Sequence, residues 1–94
     1  MIATLTFHLH LPACFSLKDK RGRIKPLLSR LRREFNVSVA EMALQDKWSE
    51  AVIACAAINS DKVVLEQSLQ SVAKWVDSHW PDGQVIDSKI EFIY

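Results

Sequence analysis

Trp48-Ser49-Glu50-Ala51-Val52-Ile53-Ala54-Cys55-Ala56-Ala57-Ile58 is the stretch on which the fold turns. In an extended chain, Ala51, Ile53, Cys55 and Ala57 share one face, and Val52, Ala54, Ala56 and Ile58 share the other. Both faces are apolar, which predicts a central strand. Immediately upstream, the polar Gln45-Asp46-Lys47 separates it from Val37 to about Leu44, a run of β-branched and small apolar residues. Two strands joined by a tight turn fit this segment.

Working toward the N-terminus, Ile2 to Leu11 alternates: Ala3, Leu5, Phe7, Leu9 and Leu11 oppose Ile2, Thr4, Thr6, His8 and His10. That is the pattern of a half-buried strand, ended by Pro12. Ser16 followed by Asp19 offers an N-cap, so a helix is expected from near Leu17. Its apolar face is Ile24, Leu27, Leu28, Leu31 and Phe35, and Asn36 is placed to close it in the left-handed conformation. Pro26 lies inside that helix, four residues after Gly22, and predicts a kink; a short first turn followed by a longer helix is the alternative.

Toward the C-terminus, Asn59-Ser60-Asp61 supplies cap chemistry for a second helix. Its stripe is Leu65, Leu69, Val72, Ala73 and Val76, and it ends near Pro81-Asp82-Gly83. A last strand is expected from about Gln84 to Ile93, with Ile86, Ile90 and Phe92 opposite Asp87, Lys89 and Glu91. The element order βαββαβ predicts a single α+β, ferredoxin-like domain over residues 1–94. Crossover handedness gives sheet order 4-1-3-2, with both helices on one face and the other face open.

The charge is unevenly placed. Lys18 to Arg33 holds eight of the twelve Lys and Arg residues and one acid, a net +7; the other four bases and ten acids sum to −6. On a helical wheel Lys18, Arg21, Lys25 and Arg32 gather away from the apolar stripe, with Arg33 beside them. Such a face is often merely solvated. Here, like charges at i, i+4 such as Arg21 and Lys25 cost a few tenths of a kcal/mol without interleaved acids, so an anionic partner is expected.

Other chemistry is sparse. Cys14 and Cys55 form no redox or zinc motif; Cys55 reads as a buried hydrophobe, and Cys14 has no adjacent base. His8 and His10 share a strand face but lack the further ligands of a zinc site, so no metal or cofactor is expected. Glu41, Asp46 and Glu50 read as solvated acids around the hairpin. Trp48, Trp75 and Trp80 read as packing residues, with Trp75 off the stripe, either over the sheet edge or exposed for a partner. No apolar run approaches the ~20 residues that span a bilayer, and the N-terminus lacks the order of a secretory signal, so a cytoplasmic location is expected.

Three blocks, Ser16-Leu17-Lys18-Asp19-Lys20-Arg21, then Phe35-Asn36-Val37-Ser38-Val39-Ala40-Glu41, then Gln45-Asp46 with Trp48 and Ala51, resemble the YlxP-like family of small bacterial proteins of unknown function. The resemblance implies the ferredoxin-like fold and a bacterial cytoplasmic protein whose relatives' genes often neighbour translation and RNA-processing factors. It implies no catalytic residue. Gly22 stands where relatives often carry another basic residue.

The leading expectation is a non-catalytic protein that binds structured RNA or the ribosome, with Lys18, Arg21, Lys25, Arg32 and Arg33 on phosphates. A second is a homo-oligomer, such as a homodimer, packed through the open sheet face or an edge strand. An acylphosphatase-like enzyme is third, because Pro12-Ala13-Cys14-Phe15 lacks the glycines of a phosphate cradle.

Overall fold

The alternation of the first ten residues becomes β1 (Ile2–His10), with Ala3, Leu5, Phe7 and Leu9 all buried. The structure is a computed structural model that describes residues 1–94. After β1 come α1 (Leu17–Glu34), β2 (Ser38–Ala43), β3 (Glu50–Ile58), α2 (Lys62–His79) and β4 (Gln84–Phe92). The sheet runs β2-β3-β1-β4 with every pair antiparallel, and β1 and β3 lie at its centre. This is the expected ferredoxin-like arrangement, with no helix between Val37 and Ile58.

The core forms where the helices meet one face of the sheet. Ile24, Leu27 and Leu31 of α1 and Leu65, Leu69, Val72 and Val76 of α2 pack with Leu5, Phe7, Leu9, Ile53 and Cys55. Burying each of the larger side chains contributes about 1.5 to 3 kcal/mol. Ser16 Oγ accepts the Asp19 N–H at 3.0 Å, and Asp61 accepts from Val63 and Val64, so both helices start on side-chain caps. No helix is long and apolar enough to cross a membrane.

Two local expectations need correction, and one alternative falls away. The α1 helix is continuous from Leu17 to Glu34 with Pro26 inside it, so the two-piece alternative is not adopted. Pro26 offers no N–H to the Gly22 carbonyl, but both residues are exposed and water can take that place. Asn36 is not left-handed; α1 ends on an extended Phe35, whose N–H donates to Leu31 O at 3.0 Å.

In β4, Ile86 does not share a face with Ile90 and Phe92. The register passes from His8↔Asp87 to Leu9↔Val85, so Ile86 is an unpaired bulge residue and Val85 takes the inward position. A single extra residue reverses the alternation, leaving Ile86 mostly exposed.

Candidate nucleic-acid interface

Lys18, Arg21, Lys25, Arg32 and Arg33 are all exposed on α1, opposite the buried Ile24, Leu27 and Leu31. Lys18, Arg21, Lys25 and Arg33 enter no ion pair within the chain. Arg32 differs: its Nη2 donates to Val39 O at 2.8 Å, tethering the guanidinium to edge strand β2. The ridge therefore has four unengaged cations and one already committed.

The remaining cations of the basic segment are structural. Lys20 is 2% exposed; its Nζ donates to Leu44 O at 2.6 Å and Lys47 O at 2.8 Å and lies 2.9 Å from Glu41 Oε2. Two of its three ammonium donors thus hold the turn after β2, where Leu44 adopts a left-handed φ of 62°, and its charge faces Glu41 on β2. The sequence carried a signal for this. Lys20 precedes Ile24, Leu27 and Leu31 at helical spacing and so sits on the apolar stripe, where a lysine needs an acid.

Arg23 clamps two loops. Its guanidinium donates to Pro12 O at 2.7 Å, Ala13 O at 3.2 Å and Asp82 O at 3.2 Å, and both Asp19 carboxylate oxygens accept from it. Arg30 lies 4.7 Å from the centre of the Trp75 ring, a cation–π contact across the two helices. Beside the ridge, a groove lined by Arg21, Lys25, Gln45 and Asp46 opens between α1 and the β2–β3 turn. Its charge is mixed, so the purely positive surface is the outer ridge.

Residues 2–90 match the family described as "Protein of unknown function (DUF503)". The chain belongs to this family. The "Uncharacterized protein YlxP" of Bacillus subtilis (strain 168) is 41% identical over 63 residues, which cover 67% of this chain and 68% of that protein. Among solved structures, "De novo designed protein Ferredog-Diesel" aligns at a TM-score of 0.49 and 10% identity, over 98% of this chain and 85% of that one.

Elsewhere in the DUF503 chain, two of the three hairpin acids are not simply solvated, whereas Asp46 is exposed as read. Glu41 pairs with Lys20, and Glu50 pairs with Lys47 and with His8, whose Nε2 lies 2.8 Å from Oε1. The hydrogen bond from Lys47, then that from His8, hold the Glu50 carboxyl below its ordinary range. His8 is thus engaged with a carboxylate, and no group of three or more His, Cys, Asp or Glu residues could hold a metal ion.

Both thiols of the DUF503 chain are buried; burial pushes Cys55 up to about 11, and Cys14 Sγ donates to Ser16 O at 3.6 Å. The tryptophans divide three ways. Trp80 packs in the core with Nε1 donating to Arg23 O at 3.3 Å. Trp75 lies between the helices, edge-on to Phe35 and stacked 5.0 Å from His79, rather than over the sheet edge. Trp48 is not a packing residue: it is 49% exposed beside the β2–β3 turn.

Proposed function

We propose that this protein is a non-catalytic, cytoplasmic RNA-binding module, associated with the ribosome, that grips phosphates with the outer ridge of α1. The observation that carries this is the set Lys18, Arg21, Lys25 and Arg33, exposed and without intramolecular counter-ions. At the helical rise of 1.5 Å per residue, Lys18 to Arg33 spans about 22 Å, long enough to follow several phosphates. The open sheet face offers Thr4, Thr6, His8 and His10 from β1 and Val52, Ala54, Ala56 and Ile58 from β3, without the aromatics that stack bases on an RRM sheet. Affinity therefore comes from charge and shape.

Binding of a structured RNA measured against salt tests this. Neutralising about four phosphates gives a log–log slope near −3 to −4. Charge reversal at Lys25 and Arg33 should abolish binding while leaving thermal unfolding unchanged; Arg32 is avoided because it holds Val39. Salt-insensitive behaviour of the wild-type protein would refute the reading.

A second reading, homo-oligomerisation, is favoured by the apolar half of the open face. Met42 is 59% and Ile58 72% exposed, next to Ile2, Val52, Ala54 and Ala56. Sedimentation equilibrium of the wild type and an Ile58→Asp variant tests it: a dimer lost in the variant supports it, and a wild-type monomer across concentrations defeats it.

A further inference from the structure

Phe15 is 76% exposed, although it lies in a loop that the rest of the chain holds firmly. Arg23 fixes the Pro12 and Ala13 carbonyls, and Asp19 braces Arg23. Ala13 takes a left-handed φ of 52°, Cys14 is buried, and Ser16 caps α1. Every neighbour of Phe15 thus has a partner inside the molecule. Phe15 is the one large apolar side chain of this loop left exposed, and it lies just before the Ser16 cap of the helix turn that begins the cationic ridge at Lys18 and Arg21. The sole acid of that turn, Asp19, is occupied by Arg23.

We propose that Phe15 is a stacking platform for one unpaired base of an RNA whose phosphates lie on Lys18 and Arg21. This rests on the RNA-binding reading above and adds the part of the ligand that the ridge cannot sense. Cations on a helix read phosphate in duplex and loop alike, whereas an aromatic face takes a base only where the strand is unstacked. A clamped loop suits the task, because the ring is held out before the ligand arrives and little ordering is needed on binding. Stacking is tolerant of base identity, so the preference conferred is for loops, bulges and ends over paired helix, with little sequence readout.

The experiment compares a hairpin RNA bearing an unpaired loop with a fully paired duplex of equal length, each titrated against salt with wild type, Phe15→Ala and Phe15→Trp. Phe15→Ala should weaken hairpin binding about tenfold, leave the duplex affinity and both salt slopes unchanged, and unfold at the wild-type temperature. Phe15→Trp should bind the hairpin at least as well as wild type. Wild-type hairpin affinity in Phe15→Ala, or an equal loss on hairpin and duplex, overturns the stacking role while the ridge still binds. No salt-dependent binding of either RNA by the wild type removes the RNA-binding reading itself, and Phe15 with it.

Discussion

Lys20 Nζ, on the apolar stripe of α1, lies 2.9 Å from Glu41 Oε2 on β2, and that oxygen is buried with no hydrogen-bond partner besides this ionic contact. The pair joins the basic helix to the edge of the sheet, while two ammonium donors hold the turn that follows. Most of the cost of breaking such a pair comes from the charge left behind.

Lys20→Met should therefore destabilise the protein by about 3 kcal/mol or more in urea unfolding. The double variant Lys20→Met, Glu41→Leu should recover a substantial part of that loss, because neither charge is then stranded. An unchanged midpoint for Lys20→Met would mean that the pair is open to solvent.

Gly22 sits in α1 with nothing within 4 Å of where a Cβ would be, so a side chain fits there. Gly22→Ala should raise stability by about 0.5 to 1 kcal/mol through helix propensity alone. Gly22→Arg should be stabilising too, and should steepen the salt slope of RNA binding by about one unit.

Gly83 is the opposite case. A Cβ there would lie 2.4 Å from Trp80 Cη2 and 2.6 Å from the His10 carbonyl oxygen. Neither neighbour can move freely, since the Trp80 ring is buried and bonded to Arg23 O, and His10 is β1 backbone. Gly83→Ala should cost about 1 to 3 kcal/mol by overpacking, read as a lowered melting temperature.

Acid should act through Glu50. Its carboxyl titrates lower in the folded chain than in the unfolded one, so its stabilising effect is complete above the ordinary carboxylate range and is lost as pH falls through the folded value. Glu50→Gln should accordingly lower the melting temperature modestly at neutral pH and converge with wild type in acid. A gap that widens on acidification would contradict the sign.

The elements were legible because their periods are local. Alternation in β1, the two-sided apolar run of β3 and the stripes of both helices each lie within a single segment; β1 and both helices formed where their patterns began, while β3 starts at Glu50, two residues into the run from Trp48. What was hidden depends on partners distant in sequence. Ile86 changes face because β4 bulges against β1, which no alternation within β4 records. The five ridge residues are all exposed as read, yet Arg32 is tied to Val39, and Arg23 spans 59 residues to Asp82. A charge count along α1 sees eight equivalent cations. Folding assigns half of them, Lys20, Arg23, Arg30 and Arg32, to holding the chain together.

Lys20 also divides the amines of α1 into two chemical kinds. Its nitrogen donates two hydrogen bonds, is paired with Glu41 and is shut away from water, whereas Lys18 and Lys25 are open on the outer surface. Acylation, which needs an accessible, deprotonated amine and erases its charge, would reach the outer pair and pass over the inner one. The electrostatic strength of the ridge can thus be dialled down, residue by residue, without loosening the hairpin that the same helix secures.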